Sequence, residues 1–346
     1  MPRGWQTYKM LRFLLICLLL LSACQQQPET LQLRGATMGT TWSVNLHSIP
    51  ENVNPDQLKQ QLQARLDRVN ALMSTYDPNS EVSRFNLSTS PDWFAVSAET
   101  AQVVALSLQI SELTGGAFDI SVGPLVELWG FGARERSEKL PTKQEVAELL
   151  ARIGYKNLQV RSNPPALKKQ QPQLQIDLSA VAKGYAVDLL AELLIAQQID
   201  SFLVEVGGEL QISGTRVDGT PWRIAIEKPA EGVREVEQVF PLTGTGLATS
   251  GNYRNYYVEN GQRYVHTIDP VSGYPISHKL ASATVLAEDC ATADALATAL
   301  MVLGEERGRQ LVEENRLAAY FLIHQKDAMI EYRSPAFEHF LDKVKP

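Results

Sequence analysis

Apolar residues recur at helical spacing over Pro55–Met73, where Leu58, Leu62, Leu66, Val69 and Leu72 form one stripe. The same period predicts helices over Ser97–Leu113, which stops before Gly115-Gly116, and over Thr142–Ile153, which Pro141-Thr142 opens and Gly154 closes. Ser179–Gln197 carries Val181, Tyr185, Leu189 and Leu193 on one face, with Ser179 placed as its N-cap. Asp289–Leu303 and Glu305–Asn315 complete the predicted helices. Strands are expected at Thr41–His47, Leu174–Leu178, Phe202–Val206, Trp222–Glu227, Gln238–Leu242, Gly246–Thr249, Ala318–His324 and Ala328–Tyr332, the last two around Lys326-Asp327. Tyr253–Val258 and Arg263–Ile268 flank Glu259-Asn260-Gly261, and Asn-Gly is a strong hairpin signal. Runs of adjacent strands between long helices indicate an α+β fold, with largely antiparallel sheets packed with helices. Asn163–Pro165 and Gln170–Pro172 read as a surface connection between two halves, and Gly219–Pro221 and Pro229–Gly232 as long loops between strands.

The N-terminus breaks this pattern and reads as a targeting segment. Arg3, Lys9 and Arg12 precede a short apolar run, Phe13 to Leu21, too short for a firm membrane span. Leu21-Ser22-Ala23-Cys24 follows and looks like a lipobox, with Cys24 the lipidated residue. Residues 1–23 are therefore expected to be a lipoprotein signal peptide, 24–30 the lipidated Cys and a polar tether, and 31–346 the folded domain. Loss of Arg3, Lys9 and Arg12 takes the formal charge from −7 to −10, which disfavours nucleic-acid binding. Of the three cysteines, Cys17 leaves with the signal and Cys24 carries lipid. Cys290 alone remains, so no intramolecular disulfide is available. It sits beside Ala291 and Ala293 and reads as a small buried filler.

Candidate chemistry concentrates in residues 249–278. Ser250-Gly251 and Gly273 give permissive backbone; Tyr253, Arg254, Tyr256 and Tyr257 supply hydroxyls, a guanidinium and rings. That set suits a phosphorylated aromatic ligand, with the Arg for phosphate and the rings for stacking. His266 follows and is the best general-base candidate, because an imidazole titrates in the useful range; Asp269 before Pro270 reads as a turn residue. Asp294 and Thr298 lie four apart on a predicted helix and share a face. Both offer hard oxygen for Mg²⁺ or Ca²⁺; the plainer reading is a first-turn Asp on the helix dipole and a Thr bonded back to its own helix. Asp177 ends a predicted strand, and Lys183 lies at a helix start where phosphate can bind; the alternative is a solvated Lys on a capped helix. Met38 and Tyr76 can pack on a ring face, and Ala117-Phe118-Asp119 follows Gly115-Gly116, where backbone can approach a ligand. Gly207-Gly208-Glu209 is either a bulge or a close glycine approach to a dinucleotide. No Walker-type loop and no clear Gly-x-Gly-x-x-Gly after a strand is present, which disfavours a Rossmann site.

Eight segments in order carry a resemblance. They are Gly35-Ala36-Thr37-Met38-Gly39-Thr40, Ser74-Thr75-Tyr76, Gly116-Ala117-Phe118-Asp119, Asp177-Leu178-Ser179-Ala180-Val181-Ala182-Lys183-Gly184, Gly207-Gly208-Glu209, Ser250-Gly251, His266-Thr267-Ile268-Asp269-Pro270 and Asp294-Ala295-Leu296-Ala297-Thr298. The chain resembles the ApbE family, the FAD:protein FMN transferases, over essentially its whole exported length. Position 209 is Glu where many members have Asp. The resemblance implies a two-lobed, T-fold-like architecture. It implies FAD contacts from Met38, Tyr76, Ala117, Phe118, Asp119, Asp177, Lys183, Gly207, Gly208, Ser250, Gly251, Arg254, His266 and Ile268. Asp177, being acidic, suits hydrogen bonds from ribose or a ring. It also implies Mg²⁺ on Asp294, Thr298 and the backbone carbonyl of Ala180. His266 and Asp294 are the catalytic candidates, His266 as general base and Asp294 as the alternative group for proton transfer. The implied reaction takes FAD as substrate, moves FMN to a Ser or Thr hydroxyl of an acceptor protein and releases AMP. The implied acceptors are membrane redox proteins of the Nqr and Rnf type. These place the protein on the periplasmic side of the inner membrane, whereas Gln25 after Cys24, not Asp, points to outer-membrane sorting. A metal-dependent FAD pyrophosphatase and a non-catalytic flavin-binding lipoprotein are the two alternatives.

Overall fold

The computed structural model describes residues 30–47, 49–229, 236–326 and 328–344. The targeting segment, Cys24 and most of the tether lie outside these, as do Asp327 and part of the Pro229–Gly232 loop. Among the described residues no helix is long and apolar enough to cross a membrane.

In chain order the strands are β1 (Thr30–Thr37), β2 (Thr40–His47), β3 (Phe94–Ala95), β4 (Leu158–Ser162), β5 (Pro165–Lys169), β6 (Phe202–Val206), β7 (Glu209–Ser213), β8 (Trp222–Glu227), β9 (Val236–Leu242), β10 (Thr245–Gly251), β11 (Tyr256–Glu259), β12 (Gln262–Val265), β13 (Leu280–Ala287), β14 (Ala318–Gln325) and β15 (Ala328–Arg333). The α-helices are α1 (Pro55–Met73), α2 (Glu81–Leu87), α3 (Ala98–Leu113), α4 (Gly123–Leu128), α5 (Lys143–Leu150), α6 (Ala182–Ala196), α7 (Cys290–Glu314) and α8 (Pro335–Val344). Eight strands form one sheet in the order β1-β2-β6-β7-β10-β13-β14-β15, with every neighbouring pair antiparallel. The fold is α+β with antiparallel sheets packed with helices, as the pattern predicts.

Both faces of this sheet are covered, and β14 shows how the sequence encodes it. Phe321 and Ile323 join the large core that includes Leu62 and Leu66 of α1, Leu190 of α6 and Leu300 of α7. The alternate residues, Tyr320 and Leu322, join a second core with Trp222, Ile224 and Phe240 of the β8–β9 hairpin and Phe337 of α8. A third cluster joins Leu125 of α4, Trp129, Val146 of α5, Ile153 and Ile268.

Several boundaries follow from side-chain caps. Asn54 accepts from the amides of Asp56 and Gln57, with Pro55 opening α1. Thr142 and Glu145 form a reciprocal capping box at α5. The Asn260-Gly261 turn has φ of 52° and 75°, the left-handed pair a two-residue hairpin needs, although its strands run only from Tyr256 to Val265.

Three expectations are corrected. Leu174–Leu178 is not a strand: the Asn86 side chain takes both backbone groups of Ile176, each at 2.8 Å, and Asp177 N–H donates to Ile120 O. Side-chain and loop partners thus satisfy a backbone whose apolar alternation alone suggested a sheet. Ser179 is not an N-cap: α6 begins at Ala182, and the Ser179 hydroxyl donates to Asp177 Oδ1 at 2.6 Å. Asn163–Pro165 forms the β4–β5 turn of a three-stranded sheet, not a link between halves. The two last predicted helices meet as predicted at Gly304, where φ is 76° and the backbone of α7 leaves helical geometry.

Candidate active site

Topology brings two tight hairpin tips to one end of the main sheet. The β1–β2 turn is Met38-Gly39, with φ of 47° and 69°, and the β6–β7 turn is Gly207-Gly208, with φ of 63° and 107°. β2 pairs antiparallel with β6, so the tips are neighbours: a Cβ built on Gly207 would lie 2.9 Å from Thr40 Cγ2 and 3.2 Å from Lys183 Cδ. Left-handed backbone at Met38 costs about 1–2 kcal/mol relative to an ordinary turn residue, and such strain is concentrated at ligand clamps. β7 leaves this tip with Glu209 and pairs with β10, whose C-terminal end runs back toward the tip and carries Ser250 and Gly251.

Helix α7 lies along β10. Cys290 Sγ is 3.5 Å from Leu247 O at one end, and Thr298 Oγ1 is 3.2 Å from Ser250 Oγ at the other. Eight helical residues advance ~12 Å and three strand residues ~10 Å, so helix and strand run nearly in step. Asp294 falls between these contacts, facing the start of α6.

A charged cluster forms there. Lys183 Nζ is 2.6 Å from Glu209 Oε1 and 3.8 Å from Asp294 Oδ1, and Gly184 N–H donates to Asp294 Oδ2 at 3.1 Å. Glu209 and Asp294 are only 4% and 3% exposed. Burial pushes the Glu209 carboxyl up to about 7, against the pull of Lys183. Burial also raises Asp294, again opposed by Lys183. Desolvation alone would lower the Lys183 ammonium, but Asp294 and Glu209 outweigh it and hold the group above its ordinary range. Glu209 Oε2 is buried without a hydrogen-bond partner among the described residues. Two carboxylates around one ammonium leave the site short of positive charge.

The donor set fits a hard divalent cation. Asp294 offers a buried carboxylate, Thr298 a hydroxyl one turn on, and the orphan Glu209 oxygen lies in the same cluster. Among the described residues no group of three or more His, Cys, Asp or Glu is arranged to hold a metal. The rest of the coordination would therefore come from hydroxyl, carbonyl, water or phosphate oxygen. Ala180 lies in the turn leading into α6, where its carbonyl is the implied contributor.

His266 stands at the edge of this cluster. Its Nδ1 is 3.2 Å from Asn255 O, a carbonyl that can only accept, so the proton sits on Nδ1 and Nε2 keeps a free lone pair. Burial lowers its pKa, opposed by the Asn255 contact and reinforced by the Lys183 charge; the ring is neutral at pH 7. Phe131 packs edge-on against it at 6.4 Å and opens a stack through Tyr257 and Tyr264 to Trp129.

The other candidate residues are distributed around this centre. Asp177 is packed against Gly123 and raises the pKa of Tyr76 after burial, so these two are neighbours; Tyr76 is 69% exposed. Ala117 and Phe118 are buried. Asp119 accepts from Ser121 N–H, Ser121 Oγ and Tyr155 N–H, bracketing the loop that reaches Asp177 through Ile120. Ile268 belongs to the third core, and Asp269 Oδ1 accepts from Val271 N–H, the expected turn role. Arg254 is ion-paired with Glu227 and lies over Tyr253, while Tyr257 stacks within the protein. These rings and this guanidinium therefore have protein partners where the sequence suggested a ligand. Sequence reasoning missed Gly184 as a donor to Asp294 and Glu209 as half of the Lys183 pair. The signal for Glu209 was a lone carboxylate entering an apolar strand directly after two glycines.

A strained, glycine-lined rim over a Lys–carboxylate centre, beside an imidazole, has the chemistry to receive a phosphorylated ligand. The ApbE family profile matches residues 38–321, and the chain belongs to the ApbE family. It is 44% identical to the FAD:protein FMN transferase of Vibrio cholerae serotype O1, over 95% of this chain and 98% of that one. It is 40% identical to the FAD:protein FMN transferase of Escherichia coli K12, over 96% and 97%. Among solved structures it is similar to the flavin transferase ApbE from Vibrio cholerae, with a TM-score of 0.84 and 42% identity over 90% of this chain and 99% of that one. The apo form of Pseudomonas stutzeri flavinyl transferase ApbE gives a TM-score of 0.83 and 37% identity, over 90% and 97%.

Proposed function

We propose that this chain is a Mg²⁺-dependent FAD:protein FMN transferase that attaches FMN to a Ser or Thr hydroxyl of an acceptor protein and releases AMP. The observation that carries the reading is the Lys183–Glu209–Asp294 cluster at the start of α6, with Thr298 and His266 beside it. The α6 N-terminus and Lys183 form an anion-receptive end suited to a phosphate. The Met38-Gly39 and Gly207-Gly208 tips let backbone approach a dinucleotide closely. Asp294, Thr298 and the Ala180 carbonyl would hold Mg²⁺, which supplies charge neutralisation of the pyrophosphate when bound. His266 Nε2 takes the proton of the acceptor hydroxyl. The hydroxyl oxygen forms a bond to the FMN phosphorus, the bond from that phosphorus to the bridging oxygen breaks, and AMP leaves with that oxygen.

The wider setting is proposed on the sequence alone. Cys24 carries a lipid anchor, and the domain faces the periplasm at the inner membrane, where acceptors of the Nqr and Rnf type reside. One assay separates the possible outcomes: purified protein, FAD and Mg²⁺, with and without acceptor, read by in-gel flavin fluorescence and AMP release. Covalent fluorescence that requires acceptor supports transfer. AMP without acceptor indicates hydrolysis, and FAD binding with neither product indicates a binding protein.

A further inference from the structure

Beyond Lys183, helix α6 places a second charged residue, Asp188, against α7. This carboxylate spans to the start of α7, where Oδ1 accepts from Cys290 N–H at 2.8 Å and Oδ2 from Ala291 N–H at 2.9 Å. One turn earlier on α6, Gly184 N–H donates to Asp294 Oδ2, one turn into α7. The two contacts are reciprocal: a backbone donor on α6 to a carboxylate on α7, and a carboxylate on α6 to backbone donors on α7. Members of each pair are four residues apart on their own helix, so both contacts lie on the facing sides.

The close approach is built into the sequence. A Cβ on Gly184 would lie 2.7 Å from Ala291 Cα, and one on Gly246 would lie 2.6 Å from Cys290 N. Both are backbone atoms and cannot swing aside. The first turn of α7 is therefore clamped between α6 and β10, with Asp188 as its polar fastener. Asp289 caps the same helix end differently, accepting from Thr292 N–H at 2.7 Å within α7 itself.

We propose that Asp188 is a positioning residue: by holding the first turn of α7 against α6, it fixes the Asp294 carboxylate relative to Gly184 and Lys183. It touches neither the reacting atoms nor the proposed ligands. Its bearing on turnover rests on the proposed flavin transfer; its bearing on the Gly184–Asp294 contact does not.

The test compares Asp188→Asn and Asp188→Ala with Asp289→Ala. Amide hydrogen exchange is measured at Gly184 in the unliganded protein, and kcat and KM for FAD in the transferase assay. Losing a charge-assisted hydrogen bond corresponds to roughly tenfold or more in a local equilibrium. Gly184 should exchange about tenfold faster or more in both Asp188 variants. Their kcat should fall while KM for FAD stays near wild type. Asp289→Ala should destabilise the helix end yet leave Gly184 exchange and kcat unchanged. Unchanged Gly184 protection in Asp188→Asn overturns the proposal. So does an equal effect from Asp289→Ala, which would mean general fraying of α7. So does failure of both Asp188 variants to fold, which would make the residue a determinant of the fold. Absence of transfer by the wild-type protein would count against the proposed function and leave the exchange result to decide this one.

Discussion

Replacing Glu209 with Gln removes the buried carboxylate that shares Lys183 with Asp294, and the consequence can be worked out from its surroundings. Burial moves this carboxyl from an ordinary 4.5 to about 7. For an acid raised in the folded state, the associated stability is fully present below the unfolded value. It is lost as pH rises through the folded one. The displacement corresponds to ~3 kcal/mol. In EDTA, the wild-type protein should therefore lose about this much stability from Glu209 between roughly pH 4 and 8. Glu209→Gln has no proton to release and should lack that component. Asp188, pushed up to about 7 by burial against its two amide bonds, contributes a slope of the same sign, but it is present in both proteins and cancels. Urea unfolding at half-unit pH steps gives the comparison. The difference between variant and wild type should move by up to ~3 kcal/mol in favour of the variant as pH rises. Parallel curves would refute the reasoning and mean that Lys183 keeps Glu209 ionised throughout.

Asp294→Ala should abolish turnover while FAD binding weakens less, and near wild-type activity at limiting Mg²⁺ would refute its assignment as a cation ligand. Thr298→Val, which removes the hydroxyl but keeps the volume, should be milder, with an increased Mg²⁺ requirement in a metal titration. His266→Gln should cut transfer by roughly 10²–10⁴-fold and erase the acid limb of the rate profile. In wild type that limb should lie below the ordinary imidazole range, because burial lowers the His266 pKa; full activity of the Gln variant would reduce His266 to a positioning group. Cys24→Ser should block lipidation and leave precursor unprocessed, and a normally cleaved, membrane-bound product would sink the lipobox reading.

The elements legible in the sequence are those whose signals are local. α1 is predicted residue for residue from its apolar stripe, and the structure adds the Asn54 cap at its start. The Asn260-Gly261 turn and the strand Phe202–Val206 are equally direct. Elements that depend on partners elsewhere are not. β13 is buried on both faces, so its run of apolar residues carries no period. Leu174–Leu178 has the alternation of a strand, but its hydrogen bonds go to Asn86 and Ile120. At the site, Lys183 at a helix start and the Asp294/Thr298 spacing are readable from periodicity. The pairing of Lys183 with Glu209 is not, since it depends on the β6–β7 tip folding back over α6. Arg254 and Tyr257, which composition alone offers as ligand contacts, also have protein partners that only the topology reveals.

The central claim is that the Lys183–Asp294 centre moves FMN from FAD onto an acceptor hydroxyl. It is tested most directly by intact-mass and peptide analysis of an acceptor protein incubated with this chain, FAD and Mg²⁺. The account predicts a mass increase of one FMN on a single Ser or Thr, AMP in equal amount, and neither product with Asp294→Ala. AMP and free FMN with an unmodified acceptor, or full modification by Asp294→Ala, would contradict it.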